Sequence, residues 1–228
     1  MKIAIIGAMD IEINQVLRLV QNSRKYTFCK TFFCEGRYEN TDLVVAKCDP
    51  GKVNAAICAQ TILLKNCPNQ MLNIGIAGAT SKMRIGDVAI AKDFVQYDVD
   101  TSPLGDPVGL ISGINLIKIP SSEIMLNTLE KAILQTKIKP KRSTFATGDK
   151  FTLSEEISKI QKQFGANIVE MEGAAIAQAC YKAGVDFGAV RVVSDNGNAK
   201  IEYEKFKFQA AKELSKIVEQ YIKLAALS

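Results

Sequence analysis

One stretch, from Ile168 to Asp195, constrains the fold more than any other. An apolar run from Ala166 to Met171 leads into Glu172. Gly173-Ala174-Ala175-Ile176-Ala177 follows with helical spacing. A second strand-like run, Gly188 to Ser194, then closes on Asp195. Short apolar β-branched runs flanking a helix-period segment predict strand, helix and strand. Glu172 falls near the helix N-terminus, where the macrodipole favours negative charge. Asp195 ends its strand and opens a loop. Ligands of open α/β sheets bind outside the carboxyl ends of the strands, so both acids are candidates for chemistry. The alternative is that they only cap a helix and a turn.

Length and composition narrow the classes. At 228 residues, 47% of them hydrophobic, the chain can bury a sizeable core, and one domain spanning 1–228 is expected. The net charge of +5 is dispersed. Its densest run, Lys137-Ile138-Lys139-Pro140-Lys141-Arg142, has no interleaved aromatics and reads as a solvated face or turn, so no nucleic-acid partner is expected. The chain has no histidine. That excludes Ser-His-Asp and Cys-His catalysis and removes the usual zinc ligand, so no metal site is expected. Acid–base work near neutral pH would fall to carboxylates, Lys, Tyr or Cys. The six cysteines (29, 34, 48, 58, 67 and 180) lie inside apolar runs and form no CxxC pair; buried free thiols in a reducing compartment are expected. The apolar run Ile3 to Met9 is too short for a signal peptide or a membrane span, and no run of eighteen apolar residues follows, so a soluble, cytoplasmic protein with no membrane partner is expected.

Lys2 to Gly7 reads as a buried strand. A helix follows with Ile13, Val16, Leu17 and Val20 on one face, Asp10 as its cap and Glu12 in an exposed first turn. Gly7-Ala8-Met9-Asp10-Ile11-Glu12 lacks the glycines of a dinucleotide fingerprint and puts an acid where a pyrophosphate would need amides. Thr27 to Glu35 and Asp42 to Cys48 suggest a hairpin turned at Tyr38-Glu39-Asn40. Val53 to Lys65 is helical. Met71 to Gly75 is a short strand, and Gly75-Ile76-Ala77-Gly78-Ala79 is either a close approach to a ligand or a tight strand–helix turn. Asp87 to Asp98 is a longer strand, and Asp100 to Ile114 a long loop of the kind that carries function. Helices at Ser122 to Gln135, from Ser154, and at Tyr203 to Leu224 alternate with a strand at Arg142 to Thr147. The alternation argues an α/β/α three-layer fold with a mixed, mostly parallel sheet.

Five motifs recur in order at matching spacing: Ile5-Ile6-Gly7-Ala8-Met9 with Glu12; Asn73-Ile74-Gly75-Ile76-Ala77-Gly78; Thr147-Gly148-Asp149 with Phe151; Val169-Glu170-Met171-Glu172; and Arg191-Val192-Val193-Ser194-Asp195. Together they resemble the purine nucleoside phosphorylase superfamily and, within it, the hydrolytic 5′-methylthioadenosine/S-adenosylhomocysteine nucleosidases. The resemblance implies cleavage of a purine–ribose bond with no cofactor. It assigns Asp195 as general acid and Glu12 as base. Glu172 would hold the ribose hydroxyls, with Glu170 and Met171 beside the sugar. Phe151 would stack on the purine, the Thr152 backbone would read the base edge, and Arg191 would help place the water. Ile76, Ala77 and Gly78 would line the pocket. Met9, Pro50 and Tyr203 or Phe206 would form an apolar 5′ pocket, completed by Thr101 and Leu104 of a neighbouring subunit in a homodimer.

The chemistry is consistent with that assignment. Breaking the bond builds positive charge on the sugar and negative charge on the purine, so one carboxylate by the sugar and one acid by the base both lower the barrier. As general acid, Asp195 must carry or share a proton near neutral pH. Related phosphorylases carry an Arg in the first loop where this chain has Glu12, and the hexameric ones use a His that is absent here. Water is therefore favoured over phosphate. The alternatives are a phosphorylase and a non-catalytic nucleoside-binding or storage-type protein. Two departures stand out: Ile76 replaces a Ser usual in the relatives, and the 101–106 loop is poor in aromatics.

Overall fold

The computed structural model describes residues 1–80, 82–195 and 200–227, with the helical backbone alone at 200–203 and 205. The strands are β1 (Lys2–Gly7), β2 (Gln21–Phe28), β3 (Thr31–Tyr38), β4 (Thr41–Lys47), β5 (Gln70–Ala79), β6 (Val88–Gln96), β7 (Ile119–Pro120), β8 (Lys141–Thr147), β9 (Ala166–Glu170) and β10 (Asp186–Asp195). The helices are α1 (Asp10–Leu17), α2 (Lys52–Asn66), α3 (Glu123–Gln135), α4 (Ser154–Phe164), α5 (Gly173–Ala183) and α6 (Lys200–Ala225).

The strands form one mixed sheet. Parallel ladders join β4, β1, β5 and β10, and also β6, β8 and β9; the β2–β3–β4 flank is antiparallel. Because β10 pairs with both β5 and β6, the strands β5, β10, β6, β8 and β9 close into a ring. Alternation along each strand sends residues to two layers. Ala4 and Ile6 of β1 pack with α2 and α5, while Ile3 and Ile5 pack with α1, α3 and α6. A third cluster seats Ile157, Ile160 and Phe164 of α4 on β8 and β9.

Several boundaries differ from the sequence expectation. The run read as one strand from Thr27 to Glu35 is broken at Cys29 and Lys30, whose φ values of 47° and 63° make a hairpin turn. Such turns normally announce themselves with Asn or Gly, and this one does not. Helix α1 stops at Leu17, so Val20 packs from outside it. Its N-cap is Met9, not Asp10, which sits inside the first turn. The segment Gly75–Ala79 is no turn: it extends β5, held by β10 along one edge. All six thiols are free, but Cys29 in the β2–β3 turn and Cys67 at the C-cap of α2 are exposed, both at positive φ. No helix among the described residues is long and apolar enough to cross a membrane.

Candidate active site

A notch in β5 positions the site. On one edge, β1 pairs with β5 from Gln70 to Asn73, and β9 joins the same strand only at Gly78 and Ala79. Glu12, from the start of α1, enters the gap. Its Oε1 accepts the Ile76 N–H at 3.0 Å, and its Oε2 accepts the Ala8 and Met9 N–H groups at 2.8 and 2.9 Å. The exposed first-turn residue expected from the sequence is therefore 3% exposed and tied to two elements. Burial raises its pKa, while Arg191 and the three amides oppose the rise. Gly75 is required beside it, since a Cβ there would lie 2.7 Å from Glu12 Oε1 and 3.2 Å from Arg191 Nε.

Glu170 anchors the next wall. Its carboxylate accepts the Gly173 N–H at 2.7 Å, the Glu172 N–H at 3.1 Å, the Thr147 hydroxyl and Arg191 Nη2 at 2.5 Å. Glu170, rather than Glu172, thus satisfies the amides at the start of α5. Arg191 is 1% exposed and spends its guanidinium on Glu170 and on the side chain and carbonyl of Asn73. It lies behind the cavity instead of lining it. Glu172, freed from capping, turns its Oε1 to the Gly51 N–H at 3.0 Å. Burial, and then the charge of Glu170, push its pKa up to about 8. At the end of β10, Asp195 is 4% exposed and accepts the Ser194 hydroxyl at 2.9 Å.

These groups surround a cavity of about 530 Å³, open at one side. Of the residues singled out from the sequence, Met9, Glu12, Pro50, Ile76, Ala77, Gly78, Phe151, Thr152, Glu170, Met171, Glu172 and Asp195 line it. Phe151 stands 58% exposed at its rim, and the buried Thr152 bonds Tyr97 Oη at 3.0 Å. Phe206 belongs elsewhere: it faces a separate cleft of about 190 Å³ with Ile85, Ile138 and Val192. Glu204 lines the main cavity, and two residues along a helix is a rotation of about 200°, so Phe206 points away. The side chain of Tyr203 lies outside the described residues. Thr101 and Leu104 do not line this chain's cavity, Leu104 being 85% exposed on a one-turn helix.

Sequence reasoning missed Ala8, Lys150, Ile157, Val169, Ser194 and Glu204 as lining residues. Four of them adjoin a residue it did name. Ile157 and Glu204 come from helices whose placement no local pattern specifies. Among the described residues no three of His, Cys, Asp and Glu are grouped as a metal site.

Four buried acids, Glu12, Glu170, Glu172 and Asp195, converging on one cavity at the carboxyl ends of β1, β9 and β10, in a mixed-sheet three-layer fold, define an α/β enzyme of nucleoside phosphorylase-like architecture. Comparison with known proteins agrees. The family model described as the phosphorylase superfamily matches residues 2–223, and the chain belongs to that family. It is 35% identical over 227 residues to a 5′-methylthioadenosine/S-adenosylhomocysteine nucleosidase of Staphylococcus haemolyticus, covering 97% of this chain and 99% of that one. It is 34% identical over 210 residues to an aminodeoxyfutalosine nucleosidase of Campylobacter jejuni, covering 91% of each. Among solved structures, the Neisseria meningitidis 5′-methylthioadenosine/S-adenosylhomocysteine nucleosidase in complex with methylthio-immucillin-A superposes with a TM-score of 0.93 at 29% identity, covering 97% of this chain and 98% of that one.

Proposed function

We propose that this chain hydrolyses the N-glycosidic bond of 5′-methylthioadenosine and S-adenosylhomocysteine, and of 5′-deoxyadenosine, releasing adenine and the 5′-substituted ribose. The observation that carries the reading is Glu12. A carboxylate stands in the notch of β5, where a phosphorylase would need cations or free amides for phosphate, and it has already taken the three nearest amides. Three donors leave one lone-pair direction of its four for a water. A carboxyl whose pKa is raised by burial is suited to general-base work near neutral pH.

In this reading Asp195 protonates the departing purine, steadied by the Ser194 hydroxyl. Glu172 holds the ribose hydroxyls and offsets the positive charge that develops on the sugar. Met171 packs on the ribose, Phe151 covers the purine, and Thr152 reads its edge through the backbone. Arg191 acts at one remove, by neutralising Glu170 and drawing Glu12 toward its ionised form.

The same reading includes a cytoplasmic homodimer, in which Thr101 and Leu104 reach the neighbour's 5′ pocket. The solvent-facing side chains of Val53, Ile57 and Leu64 recur on one side of α2, and Leu104, Phe151 and Leu153 are exposed as well; burying them against a second copy would remove an apolar patch from water. The decisive assay incubates the protein with methylthioadenosine, adenosylhomocysteine, 5′-deoxyadenosine, aminodeoxyfutalosine and inosine, with and without phosphate. Adenine release independent of phosphate is expected from methylthioadenosine, adenosylhomocysteine and 5′-deoxyadenosine. Phosphate-dependent sugar phosphate would make it a phosphorylase, and absence of turnover a nucleoside-binding protein.

A further inference from the structure

We propose that Asp149 is a positioning residue: it holds the Gly51-Lys52 dipeptide in place, and so fixes the carboxylate of Glu172. The inference rests on the nucleosidase reading. Helix α2 has no side-chain cap of its own, and its N-cap is Gly51 at φ 105°. Its first amides are taken by acids from two other parts of the chain. Gly51 N–H donates to Glu172 Oε1 at 3.0 Å, and Lys52 N–H donates to Asp149 Oδ1 at 2.7 Å. Neighbouring amides of one dipeptide are thus shared between the sugar-side acid and the loop after β8.

That loop is itself tied down. Asp149 N–H donates to Asp98 Oδ2 at 3.0 Å, and Lys52 Nζ donates to Asp98 Oδ1 at 2.6 Å and to Gln96 Oε1 at 3.2 Å. Lys52, Asp149 and Asp98 therefore close a ring of hydrogen bonds joining the start of α2 to the ends of β6 and β8. Gly51 fits tightly in it, since a Cβ there would come within 3.2 Å of Asp149 Oδ1 in addition to its left-handed φ. If Asp149 releases Lys52, the Gly51 amide can swing off Glu172. A buried carboxyl that loses this donor then changes rotamer, which removes it from the sugar. Neither Asp149 nor Lys52 need touch substrate for this.

The test compares Asp149→Ala, which removes the acceptor, with Asp149→Asn, which keeps one. Rates on methylthioadenosine, affinity for free adenine and melting temperature are measured. Asp149→Ala is expected to lower kcat/KM by about tenfold, the scale of one lost hydrogen bond to a charged group. Adenine affinity should stay within about twofold, since adenine has no sugar, and Asp149→Asn should recover most of the rate. Equal losses in adenine affinity and rate would place the effect on the Phe151–Thr152 segment and overturn the proposal, as would an Asp149→Ala rate within about twofold of wild type. Asp98→Ala opens the ring at a second point; it should give a smaller loss of the same pattern, and an unchanged rate would count against the ring should Asp149→Ala not fold. If wild type itself hydrolyses none of the substrates, the nucleosidase reading fails, but the clamp remains testable. Melting-temperature losses of Asp149→Ala and Glu172→Gln should be non-additive in the double variant, and additive losses would refute the coupling.

Discussion

Replacing Glu12 with Gln separates its two roles, because they report in different measurements. The Ala8 and Met9 amides converge on one oxygen and the Ile76 amide meets the other. A Gln side chain has one acceptor oxygen and one NH2 group. Keeping the oxygen on Ala8 and Met9 turns the NH2 group toward the Ile76 N–H, so donor faces donor in the notch of β5. A buried amide left without an acceptor costs about 1–3 kcal/mol. For a chain of this size, each kcal/mol shifts the melting temperature by roughly 2–4 °C, so a fall of about 3–10 °C is expected in calorimetry or circular dichroism. A water that loses its base should slow hydrolysis by on the order of 10²–10⁴-fold, measured as adenine release under conditions where the variant is fully folded. A melting temperature within a degree of wild type would show that the carboxylate does not hold those amides. A rate above about a tenth of wild type would remove Glu12 as the base.

Three further outcomes are expected. Asp195→Asn should lower turnover by about 10²–10⁴-fold while nucleoside binding, followed by calorimetry, stays mostly intact; retention of more than about a tenth of the activity would sink the general-acid assignment. Glu172, with its pKa raised to about 8 from an ordinary 4.5, binds a proton in the folded chain that the unfolded chain has released. Its contribution is complete below the unfolded pKa and fades as pH rises through the folded one, so ligand-free stability should fall by about 1.4 kcal/mol per pH unit within that window; denaturant melts of Glu172→Gln showing the same slope as wild type would contradict this. Ile76→Ser should accelerate hydrolysis of methylthioadenosine by about two- to tenfold, the scale of one hydrogen bond of roughly 0.5–1.5 kcal/mol to the attacking water, and a variant no faster than wild type would show that Ile76 displaces no such contact.

What the sequence made legible follows from how far each property depends on neighbours in the chain. Strand ends are local: Gly7, Thr147, Glu170 and Asp195 each close a strand-like run, and Ala8, Met9, Phe151, Thr152, Met171 and Glu172, just after the first three, line the cavity together with Glu170 and Asp195. The Cys29–Lys30 turn was hidden because its positive φ values are imposed by strand pairing rather than by residue type. The facing of Phe206 depends on the rotation of α6, which Ala210, Leu214, Ile217 and Val218 set through packing more than a turn away.

Glu12 is the instructive case. Its spacing from Ala8 and Met9 reads as a helix first turn, and it does sit there, which is why the local reading made it an exposed first-turn residue. Its burial comes from β9 joining β5 only at Gly78, after β1 has already left at Asn73. That interval leaves the Ile76 N–H without a strand partner inside the core, and an unpaired buried amide must find an acceptor. The closure of the sheet therefore demands a carboxyl, amide or carbonyl oxygen at that point whatever the protein does. A carboxylate fits the demand and leaves a lone-pair direction facing the cavity. One residue thus completes the fold and supplies the proposed base, so capping and chemistry, posed as alternatives from sequence, need not exclude each other.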